Sequence, residues 1–122
     1  MPKWINLIGD ESLTLDSIRN IEHYGSISRH EVPEMGERHC VVYSEKDCIF
    51  YDFANIIDEY EPDDLKKIPF KKPNFIMMIY RSTDRVMPIL RQDNFLRGIY
   101  VDNNYDSIMP IEEFIVSGVV HN

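Results

Sequence analysis

The chain is expected to fold as one α+β domain over residues 1–122, with a mixed or largely antiparallel sheet and short helices. Three observations predict this class. Two β-rich segments, Cys40–Ser44 and Asp47–Phe53, flank Glu45-Lys46 and read as a hairpin. Asn74–Arg81 is a continuous apolar run led by Pro73 and closed by Ser82-Thr83-Asp84, which is the pattern of a central, doubly covered strand. Segments with helical spacing occur between and after these strands, without the regular strand–helix alternation of a parallel α/β sheet. A length of 122 residues suits one core, and a hydrophobic fraction of 43% with 11% aromatic residues is enough to fill it.

The elements follow in order. Lys3–Ile8 alternates and is rich in β-formers, so it is expected to be a strand ended by Gly9-Asp10. Leu15, Ile18 and Ile21 share one helical face, which predicts a helix from about Leu13 to Tyr24 with Gly25 as its terminator. Ser26–Glu37 is polar and reads as a loop with a short strand near Ile27–Val32. The hairpin carries apolar residues on both faces, so both are expected to be at least partly covered. Ala54–Tyr60 is expected to form a helical turn, and Glu61–Pro73 a proline-punctuated linker. After the central strand, Asp84–Ile89 and Asp106–Ile111 repeat a small pattern in which proline leads a helical stretch. These predict helices from about Pro88 to Gln92 or Asn94, and from Pro110 to Ser117 with Gly118 beyond. Gly98–Asp102 reads as a strand and Asn103-Asn104 as a turn. An extended form of the second copy, pairing with Gly98–Val101, is the alternative.

Composition excludes several function classes. The longest apolar stretch, Phe75–Tyr80, is far below the roughly 20 residues of a membrane span. The start, Met1-Pro2-Lys3-Trp4, lacks the apolar run of a secretory signal. With a two-residue hairpin turn, Cys40 faces Tyr51 and Tyr43 faces Cys48, which sets the sulfurs too far apart to bridge. Free thiols point to a reducing compartment, and the expected location is cytoplasmic. A net charge of −8 argues against nucleic acid and anionic membranes as partners.

The usual constellations of chemistry are missing. His39-Cys40 and Cys48 lack zinc-ligand spacing, so no metal is expected. No Gly-x-Ser-x-Gly elbow frames a serine, and the five glycines are scattered without a phosphate-cradling motif. The expectation is a protein without catalytic residues or cofactor.

Charge is unevenly distributed along the chain. From Glu31 to Asp64 there are eleven acids against Arg38 and Lys46, whereas from Leu65 to Arg97 there are eight bases against Asp84 and Asp93. Neutralisation of one segment by the other is the plain reading. The alternative is an acidic face that steers a basic partner. That face is expected to comprise Glu45, Asp47, Asp58, Glu59, Glu61, Asp63 and Asp64, with Tyr60, and secondarily Tyr51, as aromatic anchors. The leading expectation is therefore a small acidic binding protein that engages a basic protein partner. Its most concrete form is an immunity protein covering a nuclease-type toxin. A small enzyme or ligand-binding domain with a pocket at the sheet edge, and a regulatory or oligomerising subunit, are the competing classes.

Overall fold

A computed structural model describes residues 3–104 and 107–117. It contains a seven-stranded sheet: β1 (Lys3–Gly9), β2 (Ser28–Glu31), β3 (Arg38–Ser44), β4 (Asp47–Phe53), β5 (Asn74–Tyr80), β6 (Tyr100–Asp102) and β7 (Ile108–Pro110). Four helices accompany it: α1 (Asp16–Arg19), α2 (Pro62–Leu65), α3 (Thr83–Arg91) and α4 (Ile111–Ser117). The strand order is β2-β3-β4-β5-β1-β6-β7, and every neighbouring pair is antiparallel. The class is α+β, as expected. The run at 74–80 forms β5, the middle strand of the seven.

Side-chain alternation divides the sheet into two faces. The first carries Ile5 and Leu7 from β1, Val41 and Tyr43 from β3, Ile49 and Tyr51 from β4, Ile76 and Met78 from β5, and Val101 from β6. These pack with Leu15 and Ile18, with Val86, Ile89 and Leu90 of α3, and with Ile111 and Phe114 of α4. This is the main core. On the second face a smaller cluster joins Ile8, Phe75, Tyr100 and Ile108 to Ile56, Tyr60, Leu65, Ile68 and Phe70. The chain between β4 and β5 thus covers the second face only over β1, β5, β6 and β7. Val42, Phe50, Met77 and Ile79 lie on the same face outside that cover and remain half-buried, while Trp4 is 42% exposed.

Several elements depart from expectation. The helix expected over 13–24 is the single turn α1, although Leu13, Leu15, Ile18 and Ile21 are buried as the spacing requires. Arg29 of β2 reaches under it and donates to the carbonyls of Ile21 (2.6 Å) and Ile18 (3.1 Å). The Ile18 carbonyl also accepts the Ile21 amide at 2.9 Å, a tight last turn, and Arg29 on the Ile21 carbonyl supplies a side-chain donor where a continuing helix would supply an amide. Gly25 then turns the chain at φ 88°.

The hairpin register is also shifted. Ser44 pairs with Asp47, but a bulge at Val42/Ser44 sets Val42 opposite Cys48 and Cys40 opposite Phe50. Cys40 and Cys48 therefore share the second face as diagonal neighbours, not the separated positions expected; both are free thiols. α3 begins at Thr83, so Pro88 lies inside it and not in its first turn. Pro88 is exposed and leaves the carbonyl of Asp84 without its helical amide. The expected linker contains a 3₁₀ turn at Ile57–Glu59 and α2, with Pro62 in the first turn. The second copy of the repeat is extended as far as Pro110, pairing β7 with β6, and only then becomes α4. Asp106 and Gly118 lie outside the described residues.

Candidate functional site

β1 and β6 place Asn6 and Asp102 opposite each other on the second face, and the 3₁₀ turn after β4 brings Tyr60 down onto them. The Tyr60 hydroxyl donates to Asp102 Oδ2 (2.6 Å) and accepts from Asn6 Nδ2 (3.1 Å). Asn6 Nδ2 also donates to Asp102 Oδ2 at 3.2 Å, and Asp102 Oδ1 accepts from the amide of Asn104 at 2.8 Å. Burial first, and then the bond to Asp102, pushes the Tyr60 phenol well above its ordinary range. The ring stacks in a tilted arrangement on Phe75, with centroids 5.4 Å apart. This knot fixes the chain after β4 to β1 and β6.

Beside the knot lies an open recess of about 310 Å³, whose walls include Trp4, Asn6, Glu59, Asp64, Met77 and Asp102. Among the described residues three carboxylates line it, and no lysine or arginine does. Asn6 is 3% exposed, and its Oδ1 has no hydrogen-bond partner among the described residues. An orphaned buried acceptor of this kind costs roughly 1–3 kcal/mol, so its presence at the recess calls for a donor.

The expected site residues divide into two groups. Asp58 and Glu59 lie on the 3₁₀ turn and Glu61, Asp63 and Asp64 at the start of α2, an acidic ridge of the chain that covers part of the second face, and of these Glu59 and Asp64 line the recess. Tyr60 sits within the ridge but points inward, half-buried, and its hydroxyl is already engaged. Glu45, in the β3–β4 turn, and Asp47, the first residue of β4, lie at the far end of that strand; Asp47 is six residues from Phe53, roughly 20 Å along it. Asp47 faces the opposite side and accepts from Arg85 Nε at 2.7 Å. Tyr51, the second anchor considered, has no exposed surface, because it faces the main core. It cannot touch a partner.

The charge asymmetry is partly cancelled. Arg38 forks onto both Asp52 oxygens at 2.6 and 2.7 Å, and Arg85 takes Asp47. Glu31 meets Arg19, and Lys66 and Lys67 stand 3.7 and 3.8 Å from Asp63 and Asp64. The last two pairs are solvent-exposed and contribute little. Asp58, Glu59 and Glu61 have no ion-pair partner among the described residues.

A second polar group was not foreseen from the sequence. His23 Nδ1 bonds the carbonyl of Ile21 at 2.9 Å, which requires a proton on Nδ1. Nε2 is then an acceptor and receives the Tyr51 hydroxyl at 2.6 Å. Burial holds His23 down at about 4 and pushes the Tyr51 phenol up. His39 bonds Glu31 through Nδ1 (3.1 Å) and accepts from Arg29 through Nε2 (3.2 Å). His23, Tyr51 and His39 are all buried. Catalysis needs substrate access; this network instead satisfies buried polar groups and ties α1 to β2–β4.

A further cleft of about 620 Å³ runs along α3, where Arg85 stacks 3.9 Å over the Tyr43 ring and Tyr24 stands 91% exposed. Among the described residues no group of three or more His, Cys, Asp and Glu is placed to hold a metal ion. No described helix is long and apolar enough to cross a membrane. In comparisons with protein-family models, curated proteins and solved structures, nothing matches the chain.

Proposed function

We propose that this chain is a non-enzymatic acidic binding protein that engages a basic protein partner through its second sheet face. The observation that carries this reading is the gathering of Asp58, Glu59, Glu61, Asp63 and Asp64 into one ridge beside the acid-lined recess and Trp4. Met77, in the wall of the recess, and Ile79, half-buried and opposite Trp4, form an apolar strip along β5. A field from clustered carboxylates steers a cationic partner, and the adjoining apolar strip supplies area to bury once contact is made. In its most specific form the partner is a nuclease-type toxin and this protein its immunity factor, presenting carboxylates where the toxin expects phosphates. The two free thiols, Cys40 and Cys48, fit a cytoplasmic setting.

The test is affinity capture from the source cell with the native chain and with Asp58→Asn/Glu59→Gln/Glu61→Gln/Asp63→Asn/Asp64→Asn. The reading expects one basic protein to be lost with the variant. It also expects association to slow steeply between about 0.1 M and 1 M salt, as the Debye length falls from about 10 to 3 Å. An unchanged set of captured proteins removes the ridge as the site.

The α3 cleft supports a second reading, a ligand-binding domain. Its volume lies within the roughly 300–1,000 Å³ of small-molecule sites. A ligand that raises the melting temperature of the native chain but not of Arg85→Ala would favour it.

A further inference from the structure

We infer that the recess between β1, β6 and the chain after β4 is a receptor for a single guanidinium group, the arginine side chain of a basic partner. This rests on the basic-partner reading and specifies its central contact.

Four features of the recess lead to this ligand. Its charged lining among the described residues is entirely acidic, with Glu59 and Asp64 from the ridge and Asp102 from β6. Among the described residues Asp64 has one ion-pair partner, the exposed Lys67, 3.8 Å away. Asn6, 97% buried, belongs to the lining and holds an acceptor oxygen with no partner among the described residues, while its amide nitrogen is committed to Tyr60 and Asp102. The orientation of that amide follows from the network. The Tyr60 proton goes to Asp102, so the hydroxyl must accept from Asn6, and turning the amide over would set two acceptors against each other. The oxygen therefore stays an acceptor.

The acceptors come from three separate elements, β1, β6 and the ridge. A guanidinium has five N–H donors in a fixed fork and can meet several of them at once, whereas an ammonium is a point charge with three donors. Trp4 supplies an exposed indole in the wall, the best aromatic surface for a guanidinium to stack on. A volume of about 310 Å³ is at the small end of ligand sites and suits one long side chain better than a folded metabolite. An anionic or neutral apolar ligand would meet three carboxylates and leave the Asn6 oxygen orphaned.

Trp4 is the single tryptophan of the chain, so its fluorescence reports on the recess without labelling. The native protein is titrated with N-acetyl-arginine methylamide, with the lysine analogue, and with the citrulline analogue, a neutral isostere. The expected result is a saturable change in Trp4 emission with the arginine analogue at millimolar concentration, several-fold weaker with lysine and absent with citrulline. Glu59→Gln/Asp64→Asn, both on the solvent side of the fold, should weaken the arginine analogue about tenfold. Glu37→Gln/Glu45→Gln removes the same charge away from the recess and should change binding less than twofold. Equal binding of citrulline, equal binding of lysine, an equal effect of the two double variants, or no saturable change would each overturn the inference.

The two readings can fail separately. Suppose capture of a basic protein depends on Asp58, Glu61 and Asp63 while the analogue leaves Trp4 unmoved: the recess is then wrong and the partner reading stands. If the analogue seats as described but neutralising those three acids changes nothing captured, the partner reading fails and the recess survives.

Discussion

His23 should make this fold lose stability as the pH falls below neutrality. The ring is 4% exposed, and its two nitrogens are committed, Nδ1 as donor to the Ile21 carbonyl and Nε2 as acceptor from Tyr51. Protonating Nε2 would make the Tyr51 hydroxyl turn to accept and would place a charge in a site whose burial disfavours it. The folded pKa is accordingly depressed from 6.5 to about 4, with burial the main cause. The unfolded chain takes up a proton near 6.5 and the folded chain only near 4. Between those values the unfolded state binds more protons, and stability falls as the pH is lowered through the window. Above about pH 7 the full stability is present, and below about 4 no further loss comes from this group. At 1.36 kcal/mol per unit, a gap of about 2.5 units amounts to roughly 3 kcal/mol. That is a large share of the 5–15 kcal/mol typical of a domain. Urea unfolding measured from pH 7.5 to 4 should show this decline. His23→Gln should unfold with a flatter profile, offset by a lower stability at pH 7.5. A His23 imidazole that titrates near 6.5 in the folded protein by NMR would refute the reasoning, whatever the stability curve does.

Three other outcomes are expected. Tyr60→Phe removes the hydroxyl that bridges Asn6 and Asp102, and should cost about 1–3 kcal/mol in chemical denaturation while keeping the ring packed on Phe75. In the native protein, iodoacetamide at pH 8 should label Cys48 well before Cys40, since burial first and the neighbouring Cys48 second push the Cys40 thiol up to about 11; mass spectrometry decides, and equal rates would contradict it. Pro88→Ala restores an amide to an exposed position inside α3 and should raise stability by about 1 kcal/mol or more, read as a higher urea midpoint.

Much of the fold was legible because its strongest signals are local. The proline-led run at 74–80 and the hairpin around Glu45-Lys46 identify themselves by composition, and they became β5, β4 and β3. What was not legible depends on long-range partners. Nothing within residues 13–24 says that Arg29, on a strand ten residues later, will donate to the carbonyls of Ile18 and Ile21 at the end of α1. The bulge that moves Cys40 from Tyr51 to Phe50 adds one unpaired residue to β3, a shift that alternating patterns cannot report when both faces of the hairpin are apolar.

The placement of the nominated residues was legible in part. The acids from Asp58 to Asp64 lie on the 3₁₀ turn and α2 between β4 and β5, but the tyrosine among them turns inward, where Asn6 and Asp102, 54 and 42 residues away, bond its hydroxyl. A lone Asn in an alternating strand is a weak signal. Asn6 lies between Ile5 and Leu7, on the face opposite to theirs, and that placement hinted at a polar group on the second face. Glu45 and Asp47 were grouped with the ridge by charge alone, and the length of β4 separates them from it.

The claim that the second sheet face is the binding surface is tested most directly by hydrogen exchange on the captured complex, compared with the free chain. The account expects slowed exchange across residues 56–65, through β1 and at the β6–β7 end, with β2 and α1 unchanged. Protection confined to β2, α1 or the cleft along α3, with residues 56–65 exchanging as in the free chain, would contradict it.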